Sequence, residues 1–150
     1  MLDKPSFVNC LKNQAEIELL FKDSLTPDQR YQKIIFLGKQ LPAYPQEYKL
    51  PDKIVPGCQS IMYLHAFLEN DRMRFLAQSE ALISAGLAAL LIKAYDQEHP
   101  EVVLKCPPLF LEKIGIPASL SLSRSNGLAS LFLKMKQETI KLLNTSSLII

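Results

Sequence analysis

The segment SIMYLHAFLENDRMRFLAQS, Ser60 to Ser79, decides the fold. Its first half places Ile61, Tyr63, His65 and Phe67 on one alternation and Met62, Leu64, Ala66 and Leu68 on the other. A period of two with apolar residues on both sides predicts a strand from Ser60 to Glu69 with both faces covered. Asn70 and Asp71 supply a turn. Arg72 to Gln78 then alternates Arg72, Arg74, Leu76 and Gln78 against Met73, Phe75 and Ala77. That is a strand with one wet and one packed face, pairing with the first as an antiparallel hairpin.

On the C-terminal side, Ser79 reads as the N-cap of a helix over Glu80 to His99, apolar around much of its circumference and therefore central. Pro100 ends it. Glu101 to Ile116 reads as two short helical turns broken by Pro107 and Pro108, and Ser121 or Ser123 caps a long final helix to about Leu143. On the N-terminal side, Phe7, Leu11, Ala15 and Leu19 suggest the inward face of an amphipathic helix over Ser6 to Lys22. Thr26, Pro27 and Asp28 open a second helix, which Pro42 stops. From Pro42 to Gly57 four prolines and no period give a long loop of a kind uncommon in compact domains. No repeat, low-complexity tract or linker divides the chain, so residues 1–150 are expected to form one domain.

Composition narrows the function. Seventeen basic against fifteen acidic residues leave a net charge of +2 spread along the chain, unlike the basic stripe of duplex binders. Nucleic acid is not the expected partner. Three cysteines, Cys10, Cys58 and Cys106, stand 48 positions apart. An odd number without close pairs argues against a secreted disulfide framework and for a reducing compartment. The first twenty residues lack the apolar core of a signal peptide, and the greasiest run, Ala81 to Ala94, is shorter than the roughly 20 residues that cross a bilayer. A cytoplasmic protein with no membrane partner is the expectation.

Cys58 lies in IVPGCQS, between a proline-glycine pair and the first strand. Pro56 fixes one backbone angle and Gly57 permits unusual ones, so the pair aims the next side chain out of a tight turn. Two readings stand for the thiol. It is a nucleophile that needs a nearby cation, amide dipole or partner-supplied base to become thiolate, or it is a small buried apolar residue at a strand's start. Cys10 and Cys106 read as core or incidental cysteines. With neither CxxC nor HxxxH, no metal site is expected. His65 reads as a hydrogen-bonded, partly buried residue, and His99 as a helix-end residue suited to the dipole. GxGxxG, GxxxxGK[ST] and GxSxG are all absent, which sets aside dinucleotide, nucleoside triphosphate and serine hydrolase chemistry. A cysteine hydrolase lacks the strand-to-helix elbow such a nucleophile prefers. Arg124, in the first turn of the final helix, opposes the dipole, so either a thiolate or carboxylate partner compensates it or it is an ordinary surface arginine. Gly127 in the same turn marks close approach of another segment.

VPGCQS at Val55 to Ser60, Tyr63, SEALISAGLAALL at Ser79 to Leu91 and LSLSRSNGL at Leu120 to Leu128 together resemble the SufE/CsdE sulfur-acceptor family. The likeness runs from about Tyr31 to about Leu133, with Tyr63 where many members have tryptophan and Glu80 where aspartate is frequent. It implies an α+β domain, with a small antiparallel sheet packed against helices, in a SufE/IscU-like fold. It implies that Cys58 takes persulfide sulfur from a PLP-dependent cysteine desulfurase, stimulates that enzyme, and passes the sulfur to a scaffold or acceptor in iron–sulfur cluster assembly. Arg124 would stabilise the anion or contact the partner, and Glu80 would position the loop or the partner. The PLP belongs to the desulfurase, so no resident cofactor is expected. The alternatives are an iron–sulfur scaffold and, behind it, a cysteine hydrolase.

Overall fold

The computed structural model describes residues 5–116 and 120–149. In chain order they form α1 (Val8–Leu20), α2 (Pro27–Gly38), single 3-10 turns at Gln46–Tyr48 and Pro51–Lys53, β1 (Met62–Glu69), β2 (Arg72–Ser79), α3 (Leu82–Tyr95), α4 (Pro100–Lys105), α5 (Phe110–Lys113) and α6 (Leu122–Ile149). The architecture is α+β, as expected. Among the described residues the sheet has two antiparallel strands.

The hairpin turns through Asn70 and Asp71 at φ 52° and 63°, with Glu69 opposite Arg72. Two left-handed residues in a two-residue loop match the twist of the strands they join. That register sets Leu64 against Ala77, Ala66 against Phe75 and Leu68 against Met73, so these side chains share one face. The inner face, with Met62, packs against α3 and α6. The outer face is covered in part, because the proline-rich segment folds over it. Tyr44 stacks on Tyr63 with ring centroids 5.8 Å apart, and Tyr48 on His65 at 3.7 Å. The Arg74 guanidinium sits 5.9 Å above the Phe67 ring. The segment is tied down further where the Tyr44 hydroxyl donates to the Tyr48 carbonyl (2.7 Å) and Lys134 Nζ to the Asp52 carbonyl (3.0 Å).

The second helix starts as its sequence suggests. Thr26 accepts from the Gln29 amide (3.1 Å), and the Gln29 side chain accepts from the Thr26 amide (3.1 Å), closing a capping box. α2 then crosses α3 at two glycines. A Cβ on Gly38 would lie 2.5 Å from Gly86 N, and one on Gly86 would strike the Ile34 carbonyl, with Ile34 C at 2.6 Å. The two backbones therefore touch, with the Ile34 side chain packed against Gly86.

Four expectations are corrected. The inward face of α1 is Cys10, Gln14 and Ile17, continued by Phe21; Leu11, Ala15 and Leu19 face outward. The apolar count missed it because Gln14 is polar yet buried. Its amide donates to the Pro107 carbonyl (3.0 Å) and its oxygen accepts from the Phe110 amide (3.3 Å), so burial leaves both ends satisfied. Ser79 does not cap α3: it ends β2, its Oγ accepts from Ala81 N (3.2 Å), and Ala81 stands at the N-cap without a side-chain bond. α3 stops at Tyr95 and not at His99, because the next residues pair with the free edge of β2. Gln97 N donates to the Met73 carbonyl (2.7 Å), Met73 N to the Glu98 carbonyl (2.8 Å), and Phe75 N to the Asp96 carboxylate (2.9 Å). His99, extended before Pro100, then becomes the N-cap of α4, its Nδ1 accepting from Glu101 N (3.1 Å). It thus stands at a helix start, not at the helix end where a cation suits the dipole.

Ser121 caps α6 by accepting from Arg124 N (3.4 Å), and the helix runs past Leu143 to Ile149. Among the described residues no helix is long and apolar enough to cross a membrane.

Candidate functional site

The cysteine loop is closed at its neck by the hairpin's own strand. Val55 N donates to the Met62 carbonyl (2.8 Å), and Ile54 forms a bridge with Tyr63. Pro56 to Ile61 arch between these anchors. Gly57 sits at φ +80°, and a Cβ there would come within 3.3 Å of Ser130 Oγ on α6. This left-handed residue turns the chain so that Cys58 points back toward the helices.

Cys58 is half-buried in a cleft of about 370 Å³. The first turn of α3 supplies Leu82, Ile83 and Ser84, and the start of α6 supplies Ser123, Arg124 and Gly127. A Cβ on Gly127 would lie 3.5 Å from Cys58 Sγ, so the close approach read from this glycine is to the thiol itself. Ile35, Met62, Leu87, Leu128 and Leu131 make the apolar floor. Arg124 is the one charged side chain lining the cleft among the described residues. It is exposed and, among those residues, has no carboxylate within ion-pair distance. Two helix starts and a guanidinium thus line the cleft that holds the thiol. Burial pushes the Cys58 thiol above its ordinary 9.0.

Glu80 does not share this cleft. It is exposed in the connector between β2 and α3 and lines a neighbouring hollow of about 450 Å³ with Lys49, Tyr63 and Gln78. The two hollows meet at Ser60 and Ala81. His65 lines neither; it is partly buried under Tyr48, and its Nδ1 has no hydrogen-bond partner, contrary to the bonded histidine anticipated. Cys10 and Cys106 lie in the core. Among the described residues no three His, Cys, Asp or Glu side chains come together as a metal would require. Ser84, Ser123 and the apolar floor carried no signal in the sequence, since only the crossing of α3 and α6 beneath the loop makes them neighbours of the thiol.

The fold and site together define an α+β domain that presents one half-buried thiol on a strand-closed loop, in a cleft lined by two helix starts and an arginine. Residues 15–139 match the family model SufE, described as an Fe-S metabolism associated domain. An uncharacterized SufE-like protein of Synechocystis sp. is 33% identical over 128 residues, covering 85% of this chain and 80% of the relative. The sulfur acceptor protein CsdE of Escherichia coli (strain K12) is 38% identical over 106 residues, 69% of this chain and 72% of the relative. The solution structure of a hypothetical protein from Thermus thermophilus superposes with a TM-score of 0.73 at 27% identity, covering 88% of this chain and 96% of that one. The chain belongs to the SufE family of sulfur-acceptor domains in Fe–S metabolism.

Proposed function

We propose that Cys58 accepts persulfide sulfur from a PLP-dependent cysteine desulfurase, that docking stimulates the desulfurase, and that the sulfur passes on to iron–sulfur cluster assembly in the cytoplasm. The observation that carries this reading is a lone half-buried thiol in a cleft whose one charged lining residue, among those described, is Arg124. Cys58 as thiolate attacks the outer sulfur of the donor persulfide. A new S–S bond forms, the donor's S–S bond breaks, and the donor cysteine leaves as thiolate to take up the proton Cys58 released. Burial opposes ionisation of the thiol, so activation comes when the loop leaves the cleft or when the partner brings its own base. The same cleft shelters the product persulfide from oxidants and reductants between transfers. Arg124 offsets the negative charge of thiolate or persulfide, and Glu80, beside the loop at Ser60, meets the partner. A scaffold would need converging ligands, and neither Cys10 nor Cys106 lines the cleft.

The test is peptide mapping by mass after incubation with a cysteine desulfurase and free cysteine. One added sulfur atom is expected on the peptide carrying Cys58. Sulfur found only on Cys10 or Cys106 overturns the assignment.

Arg124→Ala is expected to leave the melting curve unchanged and to lower desulfurase stimulation about fivefold, the equivalent of about 1 kcal/mol for one exposed charge contact. Unchanged stimulation at every acceptor concentration would remove Arg124 from the site.

A further inference from the structure

Two nucleophilic groups remain unused by this chemistry. Cys10 lies in the first turn of α1 and Cys106 ends α4, 96 positions later. They are 0% and 1% exposed. One side chain holds both thiols: Gln14 Nε2 lies 3.6 Å from Cys10 Sγ and 3.8 Å from Cys106 Sγ. The partner position is fixed from the other side too, because the Tyr95 hydroxyl donates to the Cys106 carbonyl (2.6 Å). Sequence spacing hides this pair, which the packing of α1 beside the α4–α5 connection creates.

We propose that Cys10 and Cys106 form a disulfide on exposure to a small-molecule disulfide oxidant, a redox-modification site that staples α1 to the α4–α5 connection. One protein thiolate attacks a sulfur of the small disulfide, forming a mixed disulfide and releasing a small thiolate. The second protein thiolate attacks the protein sulfur of that mixed disulfide, closes the Cys10–Cys106 bond and releases the second small thiolate. Two protein thiols are oxidised, the small disulfide is reduced to two thiols, and the protein's two protons go to the departing thiolates.

Burial makes the reaction slow in the closed fold, since it raises both thiols, Cys10 to about 12. The route in is the start of α1. Phe7 at its N-cap makes no side-chain cap bond, and the first turn carries no acidic residue. Ser6 Oγ accepts from Val8 N (3.1 Å) and Asn9 bonds Glu98, so access to Cys10 requires local opening of this end. Once formed, a bond that closes so long a loop strongly restricts the unfolded chain. Neither cysteine lines the Cys58 cleft, so the staple strengthens the scaffold and leaves the acceptor thiol free.

The experiment uses the full chain as Cys58→Ser, which prevents disulfide shuffling through the loop. After overnight incubation with glutathione disulfide at mildly alkaline pH, non-reducing digestion is expected to yield a Cys10–Cys106 linked peptide two hydrogens lighter than its parts. The melting temperature should rise by roughly 5–10 °C and fall back on reduction. Adding Cys106→Ala should abolish both the linked peptide and the rise. Glutathione mixed disulfides alone, no linkage, or linkage without a rise in melting temperature each overturn the proposal.

Discussion

Cys58→Ser is expected to abolish sulfur uptake completely while the protein stays folded. Serine fills the same half-exposed position with one oxygen in place of sulfur, so stability should change by no more than about 1 kcal/mol. The chemistry has no such tolerance. An alcohol does not ionise near neutral pH, and its oxygen cannot hold sulfane sulfur through a disulfide-type bond. Cys10 and Cys106 cannot substitute for it, because both are buried in the core and raised by burial. Intact-mass measurement after incubation with desulfurase and cysteine should show no added sulfur. Retention of even half the wild-type uptake sinks the acceptor role of Cys58. The pH dependence of the wild-type protein gives a second check. Because burial raises the Cys58 thiol above 9.0, its unassisted alkylation should keep climbing with pH beyond that value. The same thiol in the unfolded chain should level off there, and the difference should vanish if the loop is cut from the cleft by Gly127→Leu.

Gly86→Ala is expected to produce the largest loss of stability of any single methyl added to this fold. Its new Cβ would meet the Ile34 carbonyl of α2, which is backbone and cannot rotate away. Gly38 and Gly86 face each other across the same crossing, so relief requires the whole of α2 to move off α3. Alanine is otherwise the better helix former by about 1 kcal/mol, which opposes the loss and makes its sign informative. Overpacking should dominate at about 3 kcal/mol, the upper end for inserted methyl groups, out of a total of roughly 5–15 kcal/mol. Net of that propensity gain, the melting temperature should fall by roughly 4–8 °C. Ala89→Gly, on the less buried side of α3, is the matched control and should cost about 1 kcal/mol. If Gly86→Ala melts at or above the wild type, the helices do not meet at the backbone. Ile35 on α2 and Leu87 on α3 line the cysteine cleft, so partial separation of these helices should also loosen the cleft floor and speed Cys58 alkylation.

What the sequence by itself determined is local. The hairpin from Met62 to Ser79 was legible because side-chain direction alternates along a strand and Asn70-Asp71 accepts the left-handed turn. The start of α2 was legible because Thr26, Pro27 and Asp28 satisfy or forgo helix-end donors within one turn. Pro56-Gly57 before Cys58 marked a thiol aimed by its own backbone, and Gly127 marked a close contact without saying to what. Tertiary structure decided the rest, because burial belongs to neighbours that no local pattern names. It turned α1 inward on Gln14, whose amide finds partners around Pro107 and Phe110 that lie more than ninety positions away. It ended α3 at Tyr95 by offering the chain an unpaired strand edge at Met73. It laid Tyr44 and Tyr48 over Tyr63 and His65, which gave the proline-rich loop its order. It also brought Arg124 to the cleft of Cys58, left Glu80 in the hollow beside it, and put Cys10 and Cys106 on one Gln14 amide. Each of these pairings joins residues far apart in the chain, and only the packing of finished elements places them together.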